Sequence, residues 1–108
     1  NKVFDKTILD RLNKMMDLVQ KSYDVMIENL NSYIDSTLTE ISNAYDAEDR
    51  INPLRNNLRE EEIEGIENNT KNYHTSVYYM DIVSELEKMG DFMINISQNL
   101  YKCRVKIS

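Results

Sequence analysis

Apolar residues recur in steps of three and four along almost the whole chain, and polar residues fill the positions between them. From about Val3 to Leu30 the stripe is Phe4, Ile8, Leu12, Met15, Met16, Val19, Tyr23, Met26, Ile27 and Leu30. That spacing puts one greasy face on a helix. Lys6, Asp10, Lys14, Asp17, Lys21, Asp24 and Glu28 take the other face. Such a helix is about 40 Å long. The period loosens over Asn31–Thr37, where Asn, Asp and Ser compete for backbone hydrogen bonds and favour a break. Asp35 or Ser36 is then the expected N-cap of the next helix, with Glu40 in its first turn. The alternative is a first helix that continues to Tyr45.

The second helix is expected over about Thr37–Glu67, on an interrupted stripe of Leu38, Ile41, Tyr45, Ile51, Leu54, Leu58, Ile63 and Ile66. Pro53 falls inside it. Proline lacks the backbone donor and crowds the preceding turn, so the helix kinks there or restarts with Asn52 as cap. The stripe keeps phase across Pro53, which favours the kink. The run Arg59-Glu60-Glu61-Glu62 reads as a solvated face. Gly65 and Glu67–Asn72 form the clearest loop signal.

Tyr73–Lys102 is the third helix, with a stripe of Tyr79, Ile82, Val83, Leu86, Met89, Gly90, Met93, Ile96 and Leu100. A glycine on that stripe lets another backbone come close. The tail from Cys103 to Ser108 has no readable period. Short connections between long helices make neighbours antiparallel. The expected fold is an all-α, up-down-up three-helix bundle filling residues 1–108 as one domain. Most of the six methionines fall on its core faces.

Composition supports this. Two glycines and one proline in 108 residues are too few turn-formers for a many-stranded sheet. The 41% apolar and 30% charged content argues against disorder. The net charge of −6 comes with scattered Lys and Arg, which argues against nucleic-acid binding. No apolar run reaches the ~20 residues that span a bilayer, so direct membrane insertion is not expected. The single cysteine, Cys103, forms no internal disulfide and fits a reducing compartment.

Candidate chemistry is sparse. His74 is the one histidine, at a helix start where surface placement is the rule, and no Cys or His stands at metal-ligand spacing from it. His74 and Cys103 lie near opposite ends of one helix, so they do not form a nucleophile–base pair. Gly65 and Gly90 stand alone, so no phosphate-cradling loop is present. Catalysis is therefore not expected. Carboxylates are the remaining constellation. Glu87 and Asp91 stand four apart on the third helix and share a face. Glu48 and Asn52 repeat the spacing on the second. Hard cations choose oxygen ligands in this style, and carboxylate bundles hold di-metal sites. The plainer alternative is a solvated acidic face compensated by Lys88 and Arg50.

Tyr79–Ile96 resembles the third-helix signature of PhoU-type domains, roughly apolar-x-x-L-E-R-I-G-D-H-x-x-N-I. Leu86, Glu87, Gly90, Asp91, Asn95 and Ile96 match. Lys88, Met89 and Phe92 replace the arginine, isoleucine and histidine. Glu48–Arg59 is similar to the E-x-x-I-N-x-L-R stretch of PhoU-like domains fused to sodium/phosphate cotransporters. The resemblance implies one three-helix repeat. It further implies a regulatory role in phosphate uptake and homeostasis, as the cytoplasmic C-terminal part of a longer transporter. The family's metal motif is acidic-x-x-x-Asp. Glu87 and Asp91 satisfy it, and Glu48 with the neutral Asn52 does so in part; the implied cofactor is a divalent or iron-type metal ion. Implied partners are the transporter membrane domain or a signalling protein, with a second copy of the chain as a homodimer the other expectation. Two rival readings remain: a carboxylate-bundle metalloprotein, and a helical scaffold for an unrelated partner.

Overall fold

The computed structural model describes residues 4–107, so the Val3 start and the terminal Ser108 lie outside the described residues. Three helices, α1 (Lys6–Ile34), α2 (Ser42–Glu67) and α3 (Tyr73–Ile107), each pack against the other two. They form a rod of 57 × 23 × 16 Å. The up-down-up arrangement leaves α1 and α3 running parallel, with α2 antiparallel to both.

The helix ends follow from local chemistry. Asp5 caps α1, its Oδ1 accepting the Ile8 N–H at 2.9 Å. Asn72 does the same for α3, accepting the Thr75 N–H at 3.1 Å. Asp35 and Ser36 do not start a helix; they finish one. Ser36 takes the left-handed conformation (φ 61°), and the Ser36 and Thr37 N–H groups turn back to the Tyr33 and Ser32 carbonyls. The end of α2 repeats this. Asn69 (φ 59°) and Thr70 donate to the Ile66 and Gly65 carbonyls. Both are Schellman closures. α2 consequently begins at Ser42 rather than Thr37. Glu40 does serve its first turn, accepting the Ser42 N–H at 2.8 Å.

α2 runs uninterrupted through Pro53, so the helix does not restart there. Gly65 belongs to α2 rather than to the loop, and the tail is helical to Ile107. Nothing in 103–107 breaks a helix; Arg104 and Lys106 suit the negative end of its dipole. Arg104 Nη2 also reaches the Ser36 carbonyl at 3.4 Å.

One position in every seven is buried on each helix: Ile8, Met15, Ser22 and Asn29 on α1, and Ala44, Ile51, Leu58 and Gly65 on α2. On α3 they are Ser76, Val83, Gly90 and Ser97. This heptad recurrence is that of supercoiled helices. The main apolar cluster joins Ile8, Leu12, Met15 and Val19 to Ile51, Leu58, Tyr79 and Val83. A second seals the far end. There Leu38 and Ile41, in the α1–α2 connection, meet Ala44 and Ile94. The stripes read from the sequence are broader than the true core: Met16, Tyr23, Leu30, Tyr45, Ile63, Ile82, Met89 and Ile96 are exposed.

Candidate functional site

The two motif stretches face each other. Antiparallel packing sets Ile51 of α2 against Gly90 of α3, where a Cβ on Gly90 would stand 3.0 Å from Ile51 Cδ1. The glycine thus serves close helix approach, as its place on the stripe suggests. Glu48, half-buried one turn before Asn52, lines a slot of about 10 Å³ together with Gly90, Ser22 and Ser97. That is room for about one water.

Glu87 is also half-buried, and its carboxylate is paired with the Arg55 guanidinium across the α2–α3 seam. Asp91, one turn further on, is exposed. Glu48 lies beside Gly90, Met93 and Ile94 on one side of the Ile51–Gly90 contact, and Glu87 faces Arg55 on the other. The charge that neutralises Glu87 is Arg55, not Lys88, which instead pairs with Glu85 at 3.3 Å. Asn52 is half-buried on the same helix as Arg55.

Two further polar centres sit inside the bundle. Glu62 is completely buried, although it stands in an acidic run that reads as a solvated face. Its Oε1 meets Lys71 Nζ at 3.2 Å, and Ser76 Oγ donates to its Oε2 at 2.5 Å. Gly65 makes room: a Cβ there would lie 2.1 Å from Lys71 Cγ. Arg11 pairs with Glu61 at the same end, beside Tyr79. Burial above all, with Glu62 and Glu61 adding to it and Arg11 opposing, pushes the Tyr79 phenol up to about 12. At the other end the Asn29 and Asn43 amides hydrogen-bond reciprocally at 3.1 and 3.0 Å, and Asn29 Nδ2 also donates to Ser97 Oγ at 3.0 Å. A signal for these centres exists in the sequence: Glu62 lies four residues after Leu58, and Asn29 continues Ile8, Met15 and Ser22 at steps of seven. His74 and Cys103 are exposed.

A family model for the PhoU domain matches residues 12–100. The chain belongs to the PhoU domain family. No curated protein and no solved structure matches the chain. The PhoU domain is a regulatory, non-catalytic family that acts in phosphate homeostasis. The match spans all three helices and takes in both motif stretches.

For a metal of the kind the family implies, the donor set fits poorly. Glu87, the residue best matched to the PhoU motif, is engaged by a guanidinium. Asn52 offers a neutral amide. Among the described residues no three His, Cys, Asp or Glu side chains come together as a metal would require. Arg55 supplies at the seam the positive charge that a metal would bring. Among the described residues no helix is long and apolar enough to cross a membrane.

Proposed function

We propose that this chain is the regulatory PhoU unit of a sodium-dependent phosphate transporter, held at the cytoplasmic side of the membrane. It controls phosphate uptake by docking a helix surface onto the transporter's membrane domain or a signalling protein, and it catalyses no reaction. The observation that carries this reading is the PhoU match across residues 12–100. The Glu48–Arg59 stretch, similar to that of transporter-fused PhoU-like domains, supplies the transporter context. Arg55 and Glu87, one from each motif stretch, are ion-paired, which gives both stretches a shared structural purpose.

The test is phosphate uptake in the source cells. With residues 6–107 deleted in frame, sodium-dependent uptake should lose its response to external phosphate while transporter abundance in the membrane is unchanged. An unaltered response in the deleted strain overturns the proposal.

A further inference from the structure

The outer face shared by α1 and α3 is apolar along most of its length. On α1, Leu9, Met16, Tyr23 and Leu30 recur every seventh residue and are all exposed. On α3, Tyr78, Ile82, Met89, Phe92 and Ile96 share one face, interrupted by the exposed Glu85 between Ile82 and Met89, and they too are exposed, Phe92 by 68%. A groove of about 240 Å³ joins the stripes, with Met16 and Tyr23 on one wall and Leu86, Met89 and Met93 on the other. Two helices thus present one continuous platform. It is distinct from the α2–α3 seam that holds Arg55 and Glu87.

We infer that this platform is the interface for a second copy of the chain, packed through the same α1–α3 face about a two-fold axis. Three observations favour that occupant. The first is area. At roughly 200 Å² per large side chain, the exposed parts of these residues amount to about 800 Å² per copy, the size of a standard stable interface. The second is charge. Each copy carries −6, so two copies can approach closely only through an uncharged surface. None of the nine residues named on the two stripes is charged. Glu85, which breaks the α3 stripe, is paired with Lys88 at 3.3 Å, so it does not single out a basic partner. The third is shape. α1 and α3 run parallel, so a two-fold axis perpendicular to them lays the stripes of one copy antiparallel along those of the other. Each stripe already has the seven-residue spacing by which helices interlock. The flexible methionines at the centre adapt readily to such packing.

Sedimentation velocity on the 108-residue chain tests this. At about 100 μM the chain should be a dimer. Phe92→Glu should weaken the dimer at least tenfold, as should Tyr78→Glu, with helical circular dichroism preserved. Ile63→Glu, at an equally exposed apolar position on α2, should leave it intact. A monomeric wild type overturns the inference. So does a dimer that both α3 variants leave unchanged, or one that Ile63→Glu splits as well as they do. Tyr78 and Phe92 sit near opposite ends of the α3 stripe, so either variant that keeps its helical signal decides the matter.

Discussion

Lys71 lies directly over Gly65, its Cγ 2.1 Å from where a Cβ would be, and from there its ammonium reaches the buried carboxylate of Glu62 at 3.2 Å. The glycine costs about 1 kcal/mol of helix propensity relative to alanine. That cost is offset by an ion pair that would otherwise be missing from a fully buried acid.

Gly65→Ala should therefore destabilise the chain despite the better helix former. The new methyl displaces the lysine stem and strands Glu62. A net loss of about 1–3 kcal/mol is expected. Urea unfolding measures it, and an equal or higher midpoint would show that Lys71 finds another route to Glu62.

The opposite result is expected at the helix closures. Ser36 and Asn69 hold left-handed backbone, where a Cβ is crowded and glycine is not. Asn69→Gly should stabilise by roughly 0.5–1 kcal/mol, and Ser36→Gly by a similar amount, provided the loss of the side chain breaks no contact. Thermal melts of both variants should shift upward by a few degrees.

Tyr79 makes a prediction about alkaline pH. Its phenol is pushed from an ordinary 10.0 to about 12 in the folded chain. The folded state therefore holds the proton more tightly than the unfolded state. The stability tied to this proton is complete below about pH 10 and is lost as the pH climbs from 10 towards 12. Phenolate absorbance should show a late ionisation near pH 12, and Tyr79→Phe should remove that step. The hydroxyl is buried without a hydrogen-bond partner, so its deletion should be neutral or stabilising at pH 7. A loss above about 1 kcal/mol would reveal a strong bond to Arg11.

The seam between α2 and α3 predicts a coupling. Arg55→Gln and Glu87→Gln should each destabilise by about 1–2 kcal/mol, and the double variant by less than their sum. Released from Arg55, Glu87 and Asp91 become available to a cation. Added Mn²⁺ or Mg²⁺ should then raise the Tm of Arg55→Gln and leave the wild type unmoved, with bound metal confirmed by elemental analysis. A wild type that retains stoichiometric metal lost in Glu87→Ala and Asp91→Ala would show that Arg55 yields the site.

The helices themselves were legible because Ile8, Leu12, Met15 and Val19, or Tyr79, Val83 and Leu86, announce a face by spacing alone. The close approach of α2 at Gly90 was legible because that glycine falls on the apolar stripe of α3. Three things were not. Glu62 reads as solvated because its partners, Lys71 and Ser76, come alongside only after the chain has turned. Leu38 and Ile41 keep helical phase yet lie in a connection, since Ser36 had already closed α1. Met16, Tyr23, Met89 and Ile96 have core-like spacing without core burial. Periodicity marks an apolar face but does not say whether this chain or another covers it.

The polar contacts at the two ends of the rod have a mechanical consequence. Ser76 is seated on Glu62 near one end of α3, and Ser97 on Asn29 towards the other. A slip of α3 by one turn, about 5.4 Å, would unseat both hydroxyls together, leaving Glu62 with Lys71 alone and Asn29 with Asn43 alone. The apolar layers between them would tolerate such sliding far better. The two pegs therefore act as a detent that fixes how far α3 sits along its neighbours, a register that the apolar layers alone would leave loose.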